Sequence, residues 1–276
     1  MLRRKKILRR VIKKGTKEGR KIMILEDFSL KNNVALVTGG GSGIGSGIVK
    51  GLAEAGADIA CVYCSHQPTE IQQYVKNLGR KFLAIKADIS DINALPDMIE
   101  QTVRTFGRLD ILVNNAGICP REAAIDYREE TWDQIIGINE KSVFFLSQLA
   151  ARQFISQKSG GKIINLASMM SYLGGFNTAA YTASKHAVMG LTKVMASEWA
   201  GYGINVNAIA PGWIKTNLSA PLRADPVRNE SVKARIPAGD WGEPDDFKGA
   251  AVLLASKAGA YINGVTIPVD GGYLTK

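Results

Sequence analysis

The 276-residue chain is poor in the residues that would mark several common classes of protein. Three cysteines, Cys61, Cys64 and Cys119, are too few for a disulfide framework. Cys61 and Cys64 are spaced C-x-x-C, but they fall in an apolar run, residues 59–64, that reads as a strand. Residues three apart on a strand point to opposite faces, and no second Cys/His pair accompanies them, so the pair reads as structural. Two histidines, His66 and His186, do not make a metal site, and no metal is expected. No apolar run approaches the ~20 residues that span a bilayer, and no long apolar centre near the start marks a secretory signal. The thiol usage fits a cytoplasmic protein. Net charge is also missing from most of the chain. Eleven of the 35 lysines and arginines, and one of the 25 acids, lie in residues 1–21, which leaves 24 of each elsewhere. The basic pI of about 9.5 belongs to a tail. The body is neutral, and neither nucleic acid nor membrane is an expected partner for it.

Residues 1–22 are therefore set apart as a basic N-terminal extension, and residues 23–276 as one domain. The extension reads three ways. Ile7, Leu8, Val11 and Ile12 would share one face of a basic amphipathic helix suited to an anionic membrane surface. The charge also suits a nucleic-acid-binding arm. The third reading is a start assigned too early. Residues 17–21, KEGRK, can be encoded by almost pure purine codons, as a ribosome-binding site just before a Met23 start would be. We take the third as the expectation.

What the chain does have is an apolar share of 46% with 29 glycines and nine prolines, enough for a large core with many tight turns. Short β-rich runs at residues 33–38, 59–64, 82–87, 109–113, 162–167, 205–209 and 265–269 alternate with helical patterns. The helical patterns run from the glycine turn to residue 55, then over 68–78, 91–106, 129–157, 179–202 and 245–255. Residues 216–234 read as polar and irregular to helical. Regular alternation predicts an α/β fold: a single Rossmann-like, doubly wound parallel sheet of about seven strands with helices on both faces. Ligands of such sheets lie beyond the carboxyl ends of the strands, and the motifs fall there.

The first motif is the turn GGGSGIG, residues 39–45, between the first strand and the first helix. Glycines let backbone approach a pyrophosphate, and the helix N-terminus behind them offers free N–H groups and a favourable dipole. In that context the pattern predicts a dinucleotide site. The bland alternative is a tight strand-to-helix turn. The second motif lies within residues 165–185, NLASMMSYLGGFNTAAYTASK. Ser168 precedes Tyr181 by thirteen residues, and Lys185 follows Tyr181 by four. On a helix, Tyr181 and Lys185 share a face one turn apart. A nearby ammonium lowers a phenol's pKa from about 10, which predicts a proton donor and acceptor usable near neutral pH. Ser168 is placed to hydrogen-bond the same substrate oxygen. Alone, the tyrosine–lysine pair is equally a helix surface with one aromatic.

Together, T-G-x-x-x-G-x-G (Thr38–Gly45), N-N-A-G (Asn114–Gly117), the serine thirteen residues before Y-x-x-x-K, and P-G-x-x-x-T (Pro211–Thr216) resemble the short-chain dehydrogenase/reductase family over about residues 28–276. The resemblance implies that Tyr181 is the catalytic acid/base, that Lys185 lowers its pKa and binds the nicotinamide ribose, and that Ser168 positions the substrate oxygen. It implies that Asn139 holds a water in the proton relay. For the cofactor it implies Gly39, Ser42, Gly43, Ile44 and Gly45 at the pyrophosphate. Asp88 and Ile89 would lie at adenine, and Asn115, Ala116 and Gly117 would flank the cofactor. Ile214 and Thr216 would take the carboxamide, with Tyr181 and Lys185 completing the set.

Cofactor choice turns on the end of the second strand. A ribose 2′-hydroxyl calls for an acid and a 2′-phosphate for an arginine. Tyr63-Cys64-Ser65-His66 supplies neither, and no cation follows Gly39. NAD is expected, with NADP possible in view of His66. Further stretches, including Phe28–Leu30, Arg121-Glu122, Leu222–Asp225 and Arg235–Gly239 with Trp241-Gly242, resemble one branch of the family. That branch interconverts 3-deoxy-D-glycero-2,5-hexodiulosonate and 2-dehydro-3-deoxy-D-gluconate in uronate catabolism, as a soluble cytoplasmic homotetramer. A keto-sugar acid carries a carboxylate, which suits an arginine. Arg121, four residues after the N-N-A-G turn, is predicted to bind it, with Arg223 and Arg235 as weaker candidates. Residues 216–240 are expected to form a lid, with Trp213 and Trp241 as apolar walls. The rival readings are a gluconate 5-dehydrogenase, a 3-oxoacyl-carrier-protein reductase and a nucleotide-sensing regulator without chemistry. The neutral body speaks against the second, and an intact Ser168/Tyr181/Lys185 set against the third.

Overall fold

The computed structural model describes residues 23–276; the readings of residues 1–22 lie outside them. Seven strands form one all-parallel sheet: β1 (Val34–Thr38), β2 (Asp58–Tyr63), β3 (Phe82–Lys86), β4 (Ile111–Asn114), β5 (Gly161–Leu166), β6 (Ile204–Pro211) and β7 (Thr266–Val269). Their order across the sheet is β3-β2-β1-β4-β5-β6-β7. The chain therefore reverses direction between β1 and β4, which pair Ala35 with Ile111. This is the switch point at which the two halves of such a sheet splay and leave a crevice. The expected α/β architecture, strand number and placement of helices on both faces hold.

The central strands are apolar along their whole length because both faces are covered. All five residues of β1 are buried. Ala35 and Val37 pack into one layer with Ile48, Leu52 and Phe247. Leu36 points the other way, against Met98, Leu146, Phe154 and Met195. The first layer is closed by helices α1 (Gly43–Glu54) and α9 (Lys248–Ala255). The second is closed by α3 (Leu95–Phe106), α5 (Ser142–Gln157) and α6 (Ala179–Trp199). The edge helix α2 (Thr69–Asn77) shields β2 and β3. Cys61 is buried within β2 and Cys64 is exposed just past its end, so the two thiols do not face one another.

Three elements differ from the expected pattern. The long helix over 129–157 is not continuous. It is α4 (Glu129–Ile136), a π-helical turn Gly137–Lys141, then α5. The extra residue in that turn aims Asn139 into the protein, where it is fully buried. Wide turns of this kind recur at functional sites. The helix expected from Asp91 begins instead as a short 3₁₀ turn, Ile92–Ala94, whose Asn93 N–H donates to the Asp91 carboxylate at 2.9 Å. Pro96, which lacks an N–H, then sits in the first turn of α3. Residues 216–234 hold two short helices, α7 (Ala220–Ala224) and α8 (Pro226–Lys233), the latter capped by Asp225. Among the described residues no helix is long and apolar enough to cross a membrane.

Candidate active site

A cavity of about 350 Å³ opens beyond the carboxyl ends of β1, β4, β5 and β6. Ser168 lies two residues past β5 in extended backbone and is almost fully buried. Its Oγ accepts from the Met170 N–H at 3.1 Å, heading a single turn, Met169–Ser171. Ser171 Oγ donates to the Lys185 carbonyl at 2.6 Å, which fastens that turn to α6. The third residue of α6 is Tyr181, which lines the cavity together with Ser168. One turn on, Lys185 is buried and its Nζ donates to the Leu166 carbonyl at 2.6 Å, lying 5.7 Å from the centre of the Tyr181 ring. The expected triad is thus assembled at the base of the cavity, which all three residues line.

Its electrostatics differ from the simple expectation. Burial pushes the Tyr181 phenol up to about 12, and the neighbouring Ser168 hydroxyl and the charge of Arg121 only partly counter it. Burial also draws the Lys185 ammonium down to about 8. The lowered tyrosine pKa anticipated from the four-residue spacing is corrected here. Taking the charge out of water outweighs the attraction of the nearby cation, Arg121, and the Lys185 ammonium makes its hydrogen bond to a backbone carbonyl. At neutral pH the phenol is protonated. It is set to donate a proton, while accepting one demands help from its surroundings.

Asn139 reaches this centre from the π turn. Its Oδ1 accepts from the Ile118 N–H and its Nδ2 donates to the Ile118 carbonyl, both at 2.9 Å. A Cβ on Gly117 would stand 3.1 Å from that Oδ1 and 3.8 Å from Lys185 Nζ, so Asn139, Gly117 and Lys185 are immediate neighbours.

The glycine turn adjoins the cavity through Ile44. Gly39 and Gly43 have φ of +64° and +50°, values that other residues rarely adopt. A Cβ on Gly45 would stand 2.3 Å from the Gly39 carbonyl oxygen. Ser42 heads α1 without a side-chain cap, so the first N–H groups of a twelve-residue helix have no side-chain partner. A bare helix N-terminus, glycines with no room for side chains and an adjoining cavity fit a dinucleotide pyrophosphate. Ile44, Asn115, Gly117, Ile214 and Thr216 line the cavity with Tyr181. Gly43 abuts Thr216: its Cβ would stand 3.2 Å from Thr216 Cγ2. Asp88 and Ile89 lie outside this cavity, past the end of β3; the Asp88 carboxylate accepts from the Ser90 N–H and hydroxyl at 2.9 and 2.8 Å.

Further residues complete the site. Thr38 Oγ1 accepts from the Asn115 and Ala116 N–H groups at 3.0 and 3.1 Å, stapling the two loops at the switch point. Cys119 and Tyr273 line the cavity. Lys86 ends β3 directly beside Tyr63 in the sheet register, a cation near the end of β2 that sequence order concealed. Arg121 and Arg235 line the cavity. Arg223 does not: its guanidinium donates to the Thr216 carbonyl and Ser219 Oγ at 3.1 and 3.2 Å. Trp213 lines the cavity, whereas Trp241 stands behind it, edge-on at 5.3 Å, donating to Asn229 Oδ1 at 2.8 Å.

A family model described as enoyl-(acyl carrier protein) reductase matches residues 39–274, most of the chain. The chain belongs to the short-chain dehydrogenase/reductase family. Among family members it is 54% identical to the 2-dehydro-3-deoxy-D-gluconate 5-dehydrogenase of Dickeya dadantii (strain 3937), over 92% of this chain and 100% of that protein. It is 51% identical to the enzyme of the same name from Bacillus subtilis (strain 168), over 90% and 97%. A crystal structure of a gluconate 5-dehydrogenase from Burkholderia cenocepacia J2315 in complex with NADP and tartrate superposes with a TM-score of 0.86 at 36% identity. It covers 92% of this chain and 100% of that one.

Proposed function

We infer that this short-chain dehydrogenase/reductase is an NAD(P)-dependent oxidoreductase that interconverts 3-deoxy-D-glycero-2,5-hexodiulosonate and 2-dehydro-3-deoxy-D-gluconate. The observation that carries the reading is the composition of the cavity wall. Ser168, Tyr181 and Lys185 stand at its base, Arg121 and Arg235 add two cations, and among the described residues no aspartate or glutamate lines it. Such a wall favours an anionic substrate bearing one reducible carbonyl. The names of the relatives from Dickeya dadantii and Bacillus subtilis point to the same sugar acid.

When bound, NAD(P)H supplies hydride to the C5 carbonyl carbon of the substrate. Ser168 holds the carbonyl oxygen, and Tyr181, protonated at neutral pH, gives that oxygen its proton. Lys185 offsets the charge left on the phenolate. Arg121 binds the substrate carboxylate, and Asn139 fixes the Ile118 backbone and a water that returns a proton to the site. NAD and NADP both remain suited to the residues around Tyr63, since Lys86 supplies a cation where the local sequence has none. Residues 23–276 carry this chemistry without residues 1–22. The working form is a soluble cytoplasmic homotetramer.

Initial rates with NADH and NADPH test the reading against a panel of 3-deoxy-D-glycero-2,5-hexodiulosonate, 5-keto-D-gluconate and acetoacetyl thioester. The first substrate should have the highest kcat/KM, and Tyr181→Phe should abolish its turnover while leaving NAD(P)H binding intact. A preference for the thioester would refute the reading; a preference for 5-keto-D-gluconate would move it to the neighbouring sugar acid.

A further inference from the structure

Arg235 enters the cavity from a segment unlike the one that carries Arg121. It follows α8 and precedes a turn tied to the C-terminal end of the chain. Its guanidinium carbon lies 4.8 Å from the centre of the Tyr273 ring. Tyr273 is itself buried, edge-on to Trp213 at 6.3 Å, and Trp213 packs in turn on Trp241. The backbone around Arg235 is fixed as well. The Ala238 N–H donates to the Gly271 carbonyl at 3.0 Å. Cβ atoms on Gly271 and Gly272 would stand 3.1 and 3.2 Å from Ile236 and Pro237. Among the described residues Arg235 has no carboxylate within ion-pair distance, and no acid lines the cavity. Arg235 is solvent-exposed, but its guanidinium is held over a buried aromatic ring and has no counter-ion among the described residues, so its planar fork loses little freedom when an anion arrives.

Arg121 and Arg235 also sit differently toward the reacting centre. Arg121 comes from the loop after β4, which carries Gly117 beside Lys185, whereas Arg235 stands over Tyr273 at the C-terminal turn. We propose that Arg235, braced on Tyr273, is a second substrate-binding arginine that selects acids over neutral sugars. The C-terminal Asp270–Tyr273 turn thereby becomes part of the substrate site. The proposal rests on the sugar-acid reading above and names the residue that enforces it. A 2-keto acid presents two carboxylate oxygens and a neighbouring keto oxygen, more acceptors than one bidentate guanidinium can satisfy.

The test uses the full-length protein and three variants, Arg235→Gln, Arg235→Lys and Tyr273→Leu, with two readouts. In the first, steady-state rates with the keto-sugar acid should show KM raised about 10- to 100-fold in Arg235→Gln, the loss of one charge-assisted pair. Its kcat and its KM for NAD(P)H should move less than threefold. Arg235→Lys and Tyr273→Leu should fall between, because one keeps the charge without the fork and the other keeps the fork without its platform. In the second, tartrate binding is followed by tryptophan fluorescence, which Trp213 reports. Arg235→Gln should weaken it in the same proportion, with no turnover needed. Unchanged KM and unchanged tartrate affinity in Arg235→Gln would overturn the proposal. If Arg235→Gln fails to fold, the same null result in Arg235→Lys and Tyr273→Leu overturns it. Wild-type protein that turns over no sugar acid yet loses tartrate affinity in Arg235→Gln would sink the substrate reading and keep the arginine's role.

Discussion

Lys185 sits in the core of the site at a thermodynamic disadvantage, and that disadvantage is measurable. Burial lowers its pKa from 10.5 to about 8. Each pKa unit corresponds to ~1.4 kcal/mol, so holding the charged form inside costs about 3 kcal/mol below pH 8. Lys185→Met keeps the length and apolar stem and removes the ammonium. It also strands the Leu166 carbonyl, which now receives a hydrogen bond at 2.6 Å; an unsatisfied buried acceptor costs about 1–2 kcal/mol. The variant should therefore be more stable than wild type at pH 7 by about 1–2 kcal/mol, or a few degrees in Tm. The sign with pH follows from proton counts. Between about pH 8 and 10.5 the unfolded chain keeps a proton that the folded one has lost, so wild-type stability rises through that window relative to the variant. The variant's advantage should shrink through that window and reverse above it. Paired urea titrations at pH 7, 9 and 10.5 measure this, and rates in parallel should show kcat reduced about 100-fold or more. A variant less stable than wild type at pH 7, or a difference that ignores pH, would show that Lys185 is not held against desolvation and would undo the electrostatic account of the site.

Three further perturbations bear on the rest of the site. Gly45→Ala places a Cβ 2.3 Å from the Gly39 carbonyl oxygen and 2.5 Å from Asn115 Nδ2; NAD(P)H affinity measured by fluorescence titration should drop by at least tenfold, and wild-type affinity would contradict the packed-loop geometry. Arg121→Ala should raise KM for the sugar acid about 10- to 100-fold while KM for NAD(P)H moves little; equal effects on both would remove its assignment to the carboxylate. Asn139→Ala removes both bonds to Ile118, each 2.9 Å long. Its kcat should fall about 10- to 100-fold, and amide exchange at Ile118 should speed up. Loss of stability without the kcat effect would make Asn139 purely structural.

Where the sequence was readable and where it was not follows from the range of each signal. Strand and helix periods are local, and all seven strands begin and end within two residues of the places that composition marks; the largest departures are β4, which begins at Ile111, and β6, which runs on through Pro211. Spacing along one helix is also local, so Tyr181 and Lys185 were legible as a pair, and Ser168 as the residue just past a strand. The π turn was not legible: residues 129–157 carry a helical pattern, and Gly137 and Asn139, though weak helix formers, do not specify a widened turn. What widens the turn is the bonding of Asn139 to Ile118, twenty-one residues earlier in the chain. Lys86 was hidden the same way, adjacent to Tyr63 only through the pairing of β2 with β3.

The electrostatics failed to follow from sequence for a different reason. A four-residue spacing fixes that two groups are close; it says nothing about how much water either one keeps. Charge attraction scales with proximity, whereas desolvation scales with enclosure, and enclosure is a property of the whole fold. Tyr181 and Lys185 are enclosed by β5, by the Met169–Ser171 turn and by the loop after β4, segments distant from them in sequence. That is why the phenol lies near 12 and the ammonium near 8, both moved toward their neutral forms. Packing partners, not residue type, separate the arginines. Arg223, on the short helix α7, turns back to carbonyl and hydroxyl oxygens of its own segment. Arg235 is laid on a ring from the far end of the chain and faces the cavity. Residue type made both candidates for an acid group; only the packing of the C-terminal turn against residues 235–239 distinguishes the one that is free to bind it.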